Sequence, residues 1–281
     1  MTDIAKEVNK DLESLRTGYS RFESLDDAVK LDVDENVAAY IGLPISELLD
    51  YPNWYLKNGK HFYFKERTEV SSLLNELLGQ DLSEFMGLPT IKYDIVENSE
   101  GRIIGLLSED IRKKNVIYRQ CRYFRDDERD YIFRVLTDST VECDQNFKRD
   151  LTYYVVRNYY SSLRARLCNS EVIVSEGGYE IPPLMDYESS YIDPMMITYS
   201  DPLITFTFNE DTIAGLRENN EYFDEALNRV MDYSYLEALN IISKKHNINI
   251  PYSVRSYYME FQQNRKQTMD YMGFKVNSKT K

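Results

Sequence analysis

Histidine is almost missing from this chain: there are two in 281 residues, His61 and His246, far apart and with no cysteine pair or His-Glu-x-x-His arrangement around them. A zinc site or a Ser-His-Asp triad therefore has almost no raw material, and both histidines are expected at the surface or half-buried. The three cysteines, Cys121, Cys143 and Cys168, are odd in number, widely spaced and without a Cys-x-x-Cys pair. That usage suits a reducing compartment better than a disulfide framework. No stretch approaches the ~18 to 20 apolar residues that span a bilayer, and the first thirty residues lack the apolar run of a signal peptide. A soluble, cytoplasmic protein without membrane association is expected. Basic charge is also short, with 34 Lys and Arg against 47 Asp and Glu and a formal net charge of -13. Such a surface repels phosphate backbones, so no direct nucleic-acid contact is expected. Nor is there an internal repeat or a low-complexity tract.

What is present is a mixed set of elements on a chain long enough to bury roughly three quarters of its unfolded surface. Residues 1–30 are highly charged with weak helical spacing (Ile4, Val8, Leu12, Leu15) and read as a helical arm. A helical stretch with a Gly-Leu-Pro break follows over 34–49. WYLKNGKHFYFKE then reads as two aromatic-rich strands around Lys57-Asn58-Gly59-Lys60, an Asn-Gly hairpin signal. Over 69–86, Val70, Leu73, Leu74, Leu77, Leu78, Leu82 and Phe85 form an i, i+3/i+4, i+7 stripe that ends at Gly87. IKYDIV and RIIGLLS flank Asn98 to Gly101 as a second hairpin, so this part reads strand, strand, helix, strand, strand. After a basic, aromatic stretch from Arg112 to Arg125 the chain turns predominantly helical. NFKRDLTYYVVRNYYSSLRAR has helical length and spacing (Phe147, Leu151, Tyr154, Val155, Tyr159), and a strand pair closed by Gly177-Gly178 follows it. Asn209 caps a helix beginning NEDTIAGLREN, and further helices are predicted over 221–232, 234–246 and 252–270.

Four residues carry the chemistry that these elements suggest. Lys65 sits on an aromatic strand directly before the helix that bears Glu76; a lysine so placed, fixed by a glutamate, is how protein kinases hold the α and β phosphates of ATP. Taken alone, Lys65 is better read as a solvated strand-end lysine and Glu76 as a charge facing water. Asn169 and Asp186 stand at the two ends of the Gly177-Gly178 strand pair. An amide oxygen and a carboxylate facing each other can hold Mg²⁺ against phosphate oxygens. The alternative, that Asn169 caps a turn and Asp186 opens one, stays open.

The run from Lys65 through NELLGQDLSEFMGLPTIKYDIV and GRIIGLLSEDI to the asparagine and PPLMDYESSY resembles the HipA-like serine/threonine kinases, and LRENNEYFDEALNRVMDYSYLEALNIISKKHNINIP is similar to their helical C-terminal lobe. The resemblance covers roughly residues 50 to 270. It implies an α+β, bilobal protein-kinase-like fold, with a small α/β N-lobe over 31–125 and a mostly helical C-lobe over 126–275; the arm over 1–30 and a disordered tail expected over 276–281 flank it. It further implies Mg-ATP between the lobes, Lys65 and Glu76 as the phosphate-binding lysine and its partner, and Asn169 and Asp186 as metal ligands, Asp186 within Met185-Asp186-Tyr187. The activity implied is transfer of a phosphoryl group to a protein hydroxyl, with a protein substrate or regulatory partner.

Two departures bear on that activity. Where the family has an Asp-x-His-x-x-Asn loop, this chain has Arg164, Arg166 and Asn169. A guanidinium, with a pKa above ~12, cannot take a proton from a hydroxyl. General-base help contributes about 10² to 10⁴-fold, so its loss implies a slow enzyme or a pseudokinase. Arg164 and Arg166 are read either as cations for the γ-phosphate or as solvated side chains. The glycine-rich phosphate loop is also absent; the nearest glycine before Lys65 is Gly59 in the hairpin tip. From another functional class, the same residues fit a non-catalytic scaffold that binds a partner through the basic segment 112–125.

Overall fold

The computed structural model describes residues 29–30, 54–57, 60–66, 69–97, 103–110, 117–120, 124–161, 163–165, 171–175, 178–184, 187–189 and 210–271. It is a mixed α/β structure with a small antiparallel sheet and a mostly helical remainder. Two compact units form, Met1–Leu73 with Ile91–Lys114 and Leu74–Thr90 with Asn115–Lys281.

The first unit is a five-stranded antiparallel sheet of β1 (Val29–Lys30), β2 (Trp54–Lys57), β3 (Lys60–Glu66), β4 (Tyr93–Glu97) and β5 (Ile103–Glu109), in the order β1-β2-β3-β5-β4. Lys57 pairs with Lys60, which leaves two residues for the connection, as an Asn-Gly turn requires. Successive side chains on a strand alternate faces. One face accordingly gathers Tyr55, Phe64, Val96 and Leu107, with Phe62 and Ile104 packed against them. The other carries Trp54 beside Tyr63, their ring centroids 5.3 Å apart. Val29–Lys30 is a strand here, which corrects the last two residues of the expected helical arm; the rest of that arm and the helix expected over 34–49 lie outside the described residues.

Helix α1 (Val70–Met86) begins in the first unit and continues into the second. Its leucine stripe is buried from Leu73 to Leu82, whereas Val70 and Phe85, the ends of the expected stripe, are exposed. Gly87, with φ of 75°, closes the helix: its N–H donates to Glu84 O (3.0 Å) and that of Leu88 to Ser83 O (2.9 Å), the paired bonds of a Schellman stop.

The second unit is built around α3 (Gln145–Tyr160), which follows α2 (Asp126–Thr137). Asp144 caps α3 by accepting from the Phe147 N–H (2.9 Å). From Leu151 to Asn158 the helix is buried on every side, the mark of a central helix. It stops at Tyr160 instead of running on through SSLRAR. Ser161 turns extended, and Leu163–Ala165 becomes strand β7. Two adjacent serines compete for backbone bonds and make poor helix interior. The basic stretch, for which no element was expected, contains strand β6 (Ile117–Gln120). With β8 (Glu171–Ser175) and β9 (Gly178–Glu180) it forms a sheet in the order β6-β8-β9, while β7 pairs with β10 (Tyr187–Ser189). Helices α4 (Glu210–Asn219), α5 (Phe223–Asp232), α6 (Tyr235–His246) and α7 (Tyr252–Tyr271) agree with the expected spans. Asn209, the expected cap, lies outside the described residues.

Candidate functional site

Lys65 lies on β3 opposite Leu106 of β5, on the sheet face away from the Tyr55–Phe64–Leu107 cluster. It is half-buried, not the freely solvated strand-end lysine expected of the residue alone. One residue along, Glu66 pairs with Gly105, where β3 and β5 approach too closely for any side chain: a Cβ would collide with the Lys65 carbonyl oxygen and lie 2.7 Å from the Phe64 ring. Sequence reasoning passed over Gly105. Its signal is a glycine inside an otherwise apolar strand pattern.

Glu76 occupies the part of α1 that belongs to the second unit, and at 1% exposure it does not face water. The helix around it is gripped by side chains distant in sequence. Tyr258 OH donates to Asn75 Oδ1 (2.9 Å), Arg157 Nη2 to Gly79 O (3.1 Å), Tyr233 OH to Asp81 Oδ2 (2.8 Å) and Arg229 Nη1 to Met86 O (3.3 Å). Fully buried, Arg157 also donates from Nη1 to Asn158 Oδ1 (2.8 Å). Burial raises the Asp81 carboxyl above its ordinary range, opposed by the Tyr233 hydrogen bond; nearby Glu84 adds to the rise and Lys245 opposes it.

The chain approaching Asp186 is pinned to the exit of α1. Thr90 and Leu184 form a parallel bridge; Leu184 N–H donates to Pro89 O (2.9 Å) and Thr90 Oγ1 to Leu184 O (3.1 Å). Ile181 and Leu184 are buried on this path. Beyond it, Tyr187, Glu188 and Ser189 pair with Ala165, Arg164 and Leu163. The strand carrying Arg164 and the strand that follows Asp186 are thus neighbours, and the β8–β9 hairpin lies in the chain between them. Arg164 is inside this ladder, opposite Glu188, although the resemblance places its position in a loop. Arg166, Asn169 and Asp186 lie outside the described residues.

Among the described residues no three His, Cys, Asp or Glu side chains gather as a metal site, and no described helix is long and apolar enough to cross a membrane. His61 and His246 are half-buried, as expected. Arg125, at the end of the basic stretch, pairs with Asp127 at 3.0 Å and approaches Glu128 at 3.5 Å.

No protein-family model matches the chain, and no curated protein matches it. Among solved structures it is similar to HipA of the Shewanella oneidensis MR-1 toxin–antitoxin system, solved with HipB and its operator DNA, at 14% identity and a TM-score of 0.47 over 99% of this chain and 73% of that one.

Proposed function

We propose that the chain is a HipA-like, bilobal kinase or pseudokinase that binds Mg-ATP and, if it turns over, phosphorylates a serine or threonine hydroxyl of a protein. The observation that carries this reading is the antiparallel pairing of β7 with β10. Its Ala165–Tyr187 rung joins the strand end that leads to Arg166 and Asn169 to the strand end reached from Asp186. In this reading the chain beyond those strand ends would supply an amide oxygen and a carboxylate to one Mg²⁺, with nucleotide phosphates completing the coordination. Asn169 and Asp186 are the proposed metal ligands, Lys65 a phosphate-binding cation and Glu76 the acid that accompanies it. Arg164 and Arg166 add positive charge toward the γ-phosphate and cannot serve as general base. The proposed chemistry is therefore strong on phosphate binding and poor in proton removal, which favours slow transfer.

Thermal unfolding with and without Mg-ATP tests the reading, repeated with EDTA and with Asp186→Ala. Ligand at 100 times Kd stabilises by about 2.7 kcal/mol, equivalent to roughly 5–11 °C in Tm for a chain of this size. The expected outcome is a shift that needs both Mg²⁺ and Asp186. No shift at millimolar ATP would leave a scaffold without nucleotide as the better account.

A further inference from the structure

Two arginines on different helices of the second unit converge on one point. Arg149 of α3 and Arg229 of α5 place their guanidinium carbons 5.3 and 5.6 Å from the centroid of the Tyr153 ring. Both also reach Gly87, where an added Cβ would stand 3.4 Å from Arg149 Nη2 and 3.4 Å from Arg229 Nη1. Two positive groups thus come within roughly 7 Å of each other, a repulsive arrangement that a shared anion would relieve. Neither is sealed off, with side-chain exposures of 38% for Arg149 and 42% for Arg229.

The acidic groups beside them leave donors unused. Arg229 Nη2 donates to Glu225 Oε1 (3.1 Å), one turn back on α5, and Nη1 to Met86 O. The Arg149 side chain makes no hydrogen bond among the described residues; its Nη1 forms a long ion pair with Asp150 Oδ1 (3.7 Å), and that oxygen is buried without a hydrogen-bond partner. Beside the two arginines Tyr153 is fully buried, and its hydroxyl has no hydrogen-bonded acceptor within 3.5 Å. Burial first, then the Glu225 carboxylate toward which it is directed as a hydrogen-bond donor, pushes that hydroxyl up to about 12 against the lowering effect of Arg229 and Arg149, so it stays protonated and an anion must compete with Glu225 for it. The C-terminus of α1 opposes an anion only weakly, because Ser83 O, Glu84 O and Met86 O are already engaged.

We propose that Arg149, Arg229 and the Tyr153 hydroxyl form a binding site for a phosphate dianion, free or carried as a monoester. Guanidinium forks match the geometry of phosphate oxygens, and a third oxygen is left for the hydroxyl. The proposal does not depend on nucleotide binding and stands whether or not the chain is a kinase.

Calorimetric titration of the full chain with inorganic phosphate, in EDTA and against chloride at matched ionic strength, tests it. Saturable binding is expected for phosphate and not for chloride. Arg149→Gln should weaken it about tenfold or more, the effect of losing one charge-assisted interaction, and Arg149→Lys should restore part of it. Heat equal to that of chloride, or phosphate affinity unchanged in Arg149→Gln, overturns the site. The Arg149 side chain has only a long ion pair to lose, so the variant should fold. If its circular dichroism shows otherwise, Tyr153→Phe decides: weaker phosphate binding supports the site, and unchanged binding overturns it. A capped phosphoserine peptide separates the sources once the site is established. Binding tighter than inorganic phosphate by about tenfold assigns a protein-borne phosphate, and equal affinity a free one.

Discussion

Gly105 is where Lys65 acquires its place. Because β3 lies against its neighbour β5 with no room for a side chain at this rung, even a methyl group there must push the Lys65 backbone aside. Gly105→Ala is expected to destabilise the protein by about 2 kcal/mol or more through overpacking, a drop of at least roughly 4 °C in Tm. An unchanged Tm would show that the two strands do not approach so closely. At Asp81 the effect depends on pH. Its folded pKa is raised, so the folded state binds more protons than the unfolded one, and stability falls as pH rises. The contribution is fully present below the ordinary carboxylate value of ~3.9 and is lost as pH climbs through the raised value. Asp81→Asn keeps an oxygen for the Tyr233 hydroxyl and removes the titration. The urea midpoint of the wild type should therefore decline relative to the variant as pH rises from about 4. A constant difference would sink the assignment.

At the scale of elements, α7 is held by a charge to which no carboxylate among the described residues is bonded. Arg265 is buried, and burial lowers its pKa. It donates to Tyr160 O, Met231 O and Tyr233 O at 3.4 Å each, and its guanidinium lies 5.6 Å from the Tyr235 ring centroid and 5.9 Å from that of Phe261. One side chain thus gathers carbonyls from the end of α3, from α5 and from the link to α6. Arg265→Met keeps the length and strands those acceptors, so a loss of about 3 kcal/mol is expected in urea unfolding. Arg265→Lys, a point charge without the planar fork, should recover only part. If Arg265→Met unfolds at the wild-type midpoint, the three long contacts contribute nothing. From sequence alone Arg265 reads as one more charge on a polar helix face, since periodicity follows apolar residues and is blind to a buried cation.

The same limit explains what was legible across the molecule. Strand, strand, helix, strand, strand up to Glu109 is visible because an Asn-Gly turn, a leucine stripe and a glycine stop each have a local cause. The helices from α5 to α7 are visible for similar reasons. Strand β6 is hidden because Ile117-Tyr118-Arg119-Gln120 lacks a clean alternation, and its place depends on a partner strand more than fifty residues later. The ladder of β7 and β10 is hidden by the helical look of the residues before it. Of the candidate site, the residue types are legible, and Lys65 and Glu76 are on the expected elements. The burial of Glu76 and the tether from Thr90 to Leu184 come from long-range packing that no local pattern announces.

The second unit is assembled from two separated pieces of chain, and that has a consequence during synthesis. Leu74–Thr90 leaves the ribosome tens of residues before Arg157, and far ahead of Tyr233 and Tyr258, the side chains that grip it. At about 5–20 residues per second the interval lasts several seconds. For that time a leucine-rich helix waits on a nascent chain before its own clasps exist. During that interval the stripe is apolar surface open to another chain's, the kind of segment on which holding chaperones act.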